Sequence, residues 1–269
     1  MPRRKTLDKQ KSDKNNLFPS HPSVTLINGQ IAFGKTTLLL NMLFDKNIYY
    51  QKFNRILLFS PCFSLDKKQM SILGSQLLVT NKKLINRLQD EEDEIILDDG
   101  QEPPEREPLP DYSEITPDMI YETYSADILK NLVDYQEFII KEYGKEYSDK
   151  CLIILEDAIS LGVFRLALSN YFSKILTRIR HLNCSVVMLT QLYMSVPKVI
   201  RNNITNLISF ATNDREKQEI YEEFSCQKSK SEFDELFTVI TRKQHDFIHI
   251  NKQNQPNFNV IHNFDRYVA

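Results

Sequence analysis

The run Gly29-Gln30-Ile31-Ala32-Phe33-Gly34-Lys35-Thr36 fits the pattern G-x-x-x-x-G-K-[ST], and its setting constrains the fold more than the pattern does. An apolar run, Val24-Thr25-Leu26-Ile27, precedes it, and a helical one, Leu38-Leu39-Leu40-Asn41-Met42-Leu43, follows. Strand, glycine-bounded loop and helix in that order put backbone N–H groups and the positive end of a helix around a phosphate. Gly29, Gln30, Ile31, Ala32, Phe33, Gly34, Lys35, Thr36 and Thr37 are the expected nucleotide contacts. Lys35 would reach the β- and γ-phosphates of ATP, and the Thr36 hydroxyl would ligate Mg²⁺. A tight turn around a buried lysine is the other reading, and a lysine there is costly without an anion.

The loop departs from the usual small residues between its end glycines. If Ala32 takes a positive φ, it carries a steric cost of about 1 kcal/mol. Phe33 is bulky where the backbone wraps phosphate.

Buried apolar strands alternate with helical segments along the rest of the chain. Arg55–Pro61, stopped by its proline, Cys151–Leu155, Ser185–Thr190 and Leu207–Phe210 read as strands, and Phe247–Ile250 and Asn259–Ile261 as a closing pair. Helical spacing marks about 66–88, 118–147, 163–182, 214–224 and 231–240. This pattern predicts an α/β fold with a mainly parallel central sheet flanked by helices. The 269 residues, 41 % of them hydrophobic, suffice for one such domain, placed at 19–269.

Charge is segregated rather than balanced. Residues 1–18 read as a disordered basic tail, with Arg3, Arg4, Lys5, Lys9, Lys11 and Lys14 against Asp8 and Asp13. Residues 90–111 hold eleven acids against Arg106, together with Pro103, Pro104, Pro108 and Pro110, and read as a flexible surface insertion at about 89–112. No apolar run spans a membrane, and the N-terminus lacks the apolar core of a secretory signal. Cys62, Cys151, Cys184 and Cys226 form no C-x-x-C pair and read as reduced structural residues.

A second constellation completes a nucleotide site. Ligands of parallel sheets bind at the carboxyl ends of strands, and the strand Leu152–Leu155 ends in Glu156-Asp157. One carboxylate orients a Mg²⁺ shell while the other polarises an attacking water. We assign Glu156 to the metal and Asp157 to the water, with the reverse order open and a helix N-cap as the bland role for Asp157. Gln191, directly after the Val186–Thr190 strand, is placed to sense the γ-phosphate. Arg178, Arg180 and Arg201 are candidates for an arginine that acts on a neighbouring subunit's nucleotide. Lys174, Arg178 and His181 share one helix stripe, which faces either a channel or solvent.

Together with the phosphate loop and the Glu156-Asp157 strand end, the string Arg180-His181…Ser185…Thr190-Gln191…Pro197…Arg201-x-Asn203 resembles the genome-packaging ATPases of large DNA viruses. These form the poxvirus-type branch of the FtsK/HerA superfamily, with relatives in virophages and mobile elements. The resemblance spans about 23–265 without the acidic insertion. It implies a homo-oligomeric ring that hydrolyses ATP, uses Mg²⁺ and pumps double-stranded DNA into a preformed capsid within the infected cell. It also ranks Arg180 first and Arg201 second as the trans arginine. Other classes remain compatible with the residues: a P-loop ATPase acting in DNA transfer or replication of a mobile element, a small-molecule kinase, or a nucleotide-binding scaffold.

Overall fold

The computed structural model describes residues 17–61, 120–165, 171–224, 228–253 and 259–267. The expected basic tail up to residue 16, the helix at 66–88, the acidic insertion, Cys62 and Cys226 lie outside the described residues. Nine strands form one sheet in the order β3-β2-β4-β5-β1-β6-β7-β8-β9. They are β1 (Val24–Asn28), β2 (Arg55–Phe59), β3 (Ile120–Tyr121), β4 (Cys151–Leu155), β5 (Cys184–Thr190), β6 (Asn206–Ser209), β7 (Ile248–Asn251), β8 (Asn259–His262) and β9 (Arg266–Tyr267). From β3 to β6 all pairings are parallel; β7, β8 and β9 continue antiparallel. Strands β1, β2, β4, β5 and β6 are buried at every position, which is why they read as continuous apolar runs rather than alternating ones.

Helices cover both faces. Leu132 of α2 (Ala126–Glu142), Phe172 of α3 (Tyr171–Arg178), Phe224 of α5 (Asp214–Phe224) and Phe233 of α6 (Lys230–Ile240) join one cluster. A short helix, α4 (Lys198–Arg201), precedes β6. Leu39 and Met42 of α1 (Lys35–Phe44) pack on the opposite face with Tyr49, Phe53, Phe210 and Phe247. Local chemistry sets the helix starts. The Ser125 hydroxyl accepts from the Asp127 N–H to open α2, and Ser229 and Glu232 form a capping box at α6.

Two boundaries differ from the sequence reading. The segment expected as helix from 118 begins as the two-residue edge strand β3, and α2 starts only at Ala126. The expected helix over 163–182 is, among the described residues, a 3₁₀ turn at Val163–Arg165 and α3, which ends at Arg178. Asn183 takes the left-handed conformation (φ 53°), and the Cys184 N–H closes the turn on the Ile179 carbonyl. An asparagine tolerates that geometry, so the chain leaves the helix and enters β5 there.

At the amino-terminal edge of the sheet, a buried ion pair joins Arg55 to Asp149 at 3.2 Å, with side chains 3 % and 1 % exposed. Gln136 of α2 donates to the Asp149 and Leu182 carbonyls, tying the helix to two strand starts. Cys151 and Cys184 are free and buried, and sit opposite each other in β4 and β5. Among the described residues no helix is long and apolar enough to cross a membrane.

Candidate active site

The carboxyl edge of the parallel strands gathers the phosphate loop, Glu156, Asp157 and Gln191. β5 lies between β1, which feeds the phosphate loop, and β4, which carries the acids. Asn28 sits opposite Thr190 and Ser209, so the loop starts level with the ends of both neighbouring strands. Gly29 donates its N–H to the Thr190 carbonyl at 3.2 Å. A Cβ at position 29 would stand 2.9 Å from Phe210 Cδ2, so a larger residue there would force the ring or the loop to shift.

The loop turns through two left-handed residues, Ala32 at φ 65° and Gly34 at φ 94°. Ala32 therefore does carry the cost of a Cβ in that region, about 1–2 kcal/mol. Phe33 resolves differently from its bulk. Its ring packs against Phe210 at 6.4 Å between centroids and belongs to the partly buried rim of the core, leaving main chain to face the ligand side. The aromatic contact continues from Phe210 to Phe247 at 5.7 Å and on to Phe264 at 5.0 Å.

Lys35 and Thr36 open α1. The half-buried Lys35 ammonium donates to the Gly29 and Gln30 carbonyls at 2.6 and 2.8 Å. Burial lowers its pKa, while the Asp157 and Glu156 carboxylates pull the other way. Thr36 Oγ1 donates to Glu156 Oε1 at 2.7 Å. The other carboxylate oxygen of Glu156 accepts from Ser60 Oγ, also at 2.7 Å. Sequence reading missed Ser60, which directly follows β2. Phe59 pairs with Leu155, so the residue after β2 meets the residue after β4, a register that the structure supplies. Thr36, Glu156 and Ser60 bring three hard oxygen groups to one point, a donor set suited to Mg²⁺.

Asp157 adopts φ 51°, and its carboxylate accepts from Ser160 Oγ at 2.6 Å. Residues 156–162 form turns rather than a helix, so Asp157 caps none. Gln191 follows Thr190 at the same edge, between the loop strand and the acidic strand.

The arginines divide. Arg180 is exposed in the turn before β5, at the sheet edge opposite the phosphate loop. Arg201 is removed from the candidates for such a role. Its side chain, 8 % exposed, pairs with Glu223 at 3.0 Å and Glu219 at 3.4 Å and lies over the Tyr193 ring. Freeing it would leave the largely buried Glu223 carboxylate without its cation, held only by the Tyr193 hydroxyl among the described residues. Arg178 and Lys174 both pair with Glu137 of α2. Burial pushes the Glu137 carboxyl up, and hydrogen bonds from Lys174 and Arg178 outweigh it and hold the group below its ordinary range. Two members of the expected basic stripe thus share a single carboxylate within the chain.

A phosphate loop of this form, one strand away from a hydrogen-bonded acidic strand end on a parallel sheet, makes the chain a P-loop ATPase. A family model described as Poxvirus A32 protein matches residues 109–252, more than half of the chain. The protein belongs to that family. The matched region contains the acidic strand end and Gln191, and the phosphate loop lies outside it.

Solved structures agree in fold. The genome packaging NTPase B204 from Sulfolobus turreted icosahedral virus 2, in complex with AMP, superposes with a TM-score of 0.55 at 12 % identity, covering 90 % of this chain and 98 % of that one. Its complex with ATP-gammaS gives 0.51 at 13 % identity with the same coverage. B204, the DNA-packaging ATPase from Sulfolobus Turreted Icosahedral Virus, gives 0.54 at 14 % identity, again covering 90 % and 98 %. Comparison with curated protein sequences gave no match.

Proposed function

We propose that this ATPase is a double-stranded DNA translocase that packages a viral genome into a preformed capsid, working as a homo-oligomeric ring in the infected cell. The observation that carries the reading is the Thr36–Glu156 hydrogen bond, which joins the phosphate loop to the acidic strand end in a single site. Family membership and the fold shared with packaging NTPases support coupling of hydrolysis to DNA movement.

In this reading the main-chain N–H groups of 29–34 and the Lys35 ammonium hold the phosphates of ATP. Lys35 exchanges its two loop carbonyls for phosphate oxygens when nucleotide binds. Thr36 and Glu156 hold Mg²⁺, with Ser60 fixing the Glu156 carboxylate; the ion, when bound, neutralises charge on the β- and γ-phosphates. Asp157 accepts the proton of the attacking water, and the Ser160 hydroxyl orients its carboxylate. Gln191 reads the γ-phosphate through a neutral hydrogen bond. Arg180 of an adjacent subunit supplies positive charge as the phosphoryl group transfers. Exposed Ile31, Ile159 and Leu192 lie at the nucleotide edge and give a neighbouring subunit apolar surface to cover.

The test is ATP hydrolysis with and without linear double-stranded DNA, using Lys35→Ala as the control. The expected result is stimulation by DNA that the variant abolishes. Turnover indifferent to DNA would remove translocation from the reading while leaving the ATPase, and DNA-stimulated turnover that survives in Lys35→Ala would remove the site.

A further inference from the structure

His245 lies between α6 and β7, 212 residues from the phosphate loop, yet its Nδ1 stands 3.1 Å from the Phe33 carbonyl oxygen. It is exposed and adopts a left-handed backbone (φ 71°). Its neighbours hold it firmly. The Asp246 N–H donates to the Lys243 carbonyl at 3.1 Å, and the Asp246 carboxylate accepts from Asn263 Nδ2 at 2.7 Å. The Phe247 N–H donates to Asn263 Oδ1 at 2.8 Å. A carbonyl only accepts, so Nδ1 carries the proton in the contact with Phe33. Gly34 also meets the ring: a Cβ there would stand 3.2 Å from His245 Nδ1.

The consequence follows from peptide geometry. In a trans peptide the carbonyl of Phe33 and the N–H of Gly34 point to opposite sides of the chain within one plane. Fixing the carbonyl toward His245 turns the Gly34 N–H away from it. Phosphate loops act through N–H groups aimed inward, so each inward N–H leaves an outward carbonyl that needs a donor. Strained backbone at an exposed side chain points toward function rather than packing.

We propose that His245 is a positioning residue for the phosphate loop, holding the Phe33–Gly34 peptide so that the Gly34 N–H is aimed at a bound triphosphate. The proposal rests on residues 29–36 being the phosphate site of ATP. It assigns a task in nucleotide binding to the segment linking α6 to the antiparallel end of the sheet.

The experiment compares His245→Gly and His245→Asn with the unaltered full-length protein, measuring kcat and KM for ATP, nucleotide affinity and thermal unfolding without nucleotide. Glycine relieves the left-handed strain but removes the donor. Asparagine tolerates the backbone and carries an amide N–H close to the Nδ1 position. The expected result for His245→Gly is a KM raised about tenfold, the loss of one hydrogen bond, with kcat within about twofold and no loss of thermal stability. His245→Asn retains a KM near the unaltered value. A purely structural residue would lower stability and activity together. An unchanged KM in His245→Gly, or an equal loss in His245→Asn, overturns the proposal. Lys35→Ala separates the two levels: if it loses nucleotide while His245→Gly does not, only the His245 assignment falls, and if it binds nucleotide normally the phosphate site itself falls.

Discussion

Thr36 and Glu156 stand 120 residues apart in the chain and share a hydrogen bond of 2.7 Å. The contact links the first turn of α1 to the end of β4 and fixes the carboxylate on the loop side of the cleft. With Ser60 holding the second oxygen, Glu156 is an oriented acid rather than a mobile one. Glu156→Gln keeps the shape and removes the charge. The expected outcome is a Mg²⁺ requirement for hydrolysis raised by at least about 10–100-fold, the loss typical when even an outer-shell partner of a metal ligand is removed. A Mg²⁺ titration of turnover checks it, and an unshifted midpoint would move the metal role elsewhere.

Asp157→Asn should retain ATP binding and lower kcat by about 10²–10⁴-fold, the usual contribution of a positioned general base. Position 157 is left-handed at φ 51°, which asparagine accepts as readily as aspartate, so the substitution tests chemistry and leaves the turn intact. Single-turnover hydrolysis together with nucleotide affinity separates the two effects. Full activity in Asp157→Asn combined with the same loss in Glu156→Gln would exchange the roles of the two acids.

Gly29 tests the packing behind the loop. Gly29→Ala places a methyl 2.9 Å from Phe210 Cδ2 and 3.0 Å from its Cβ, a contact that something must relieve. Overpacking of this kind costs about 1–3 kcal/mol, and here the yielding element would be the loop. We expect lower stability in urea and weaker ATP binding, both partly restored by adding Phe210→Leu. Unaltered stability in Gly29→Ala would show that the Phe210 ring has room to move.

The parallel sheet was legible because its strands are buried on both faces and read as unbroken apolar runs, Cys151–Leu155 above all. The phosphate loop was legible because its contacts are local in sequence. Partners that come from other strand ends were not: Ser60 reaches Glu156 through the β2–β4 register, and His245 reaches Phe33 through the return of β7 alongside β6. Single-residue chemistry also misled where packing decides direction. Phe33 read as bulky beside phosphate, and its ring packs against Phe210; Arg201 read as second candidate for a trans arginine, and its side chain pairs with Glu223 and Glu219. The Arg180 and Lys174 environments differ for the same reason, since Glu137 on α2 pairs with Lys174 and Arg178 while Arg180 is exposed.

His249 gives the fold a pH dependence whose sign is fixed by burial. The ring lies inside β7, with Nδ1 3.2 Å from the Leu17 carbonyl and Nε2 3.0 Å from Asn206 Oδ1, and a neutral ring donates to one of them. Burial pushes the imidazole down to about 3, against the pull of the Leu17 carbonyl. The unfolded chain titrates near the ordinary value of about 6.5. Between these values the unfolded state binds the extra proton, so the stability contribution is complete above about pH 6.5 and is lost as pH falls toward 3. Between pH 8 and pH 5 the loss should be about 2 kcal/mol. His21, also lowered by burial, adds in the same direction. Urea unfolding at the two pH values, for the unaltered protein and His249→Gln, isolates the contribution: the variant should lose about 2 kcal/mol less on acidification, and an equal loss would place the titrating group elsewhere.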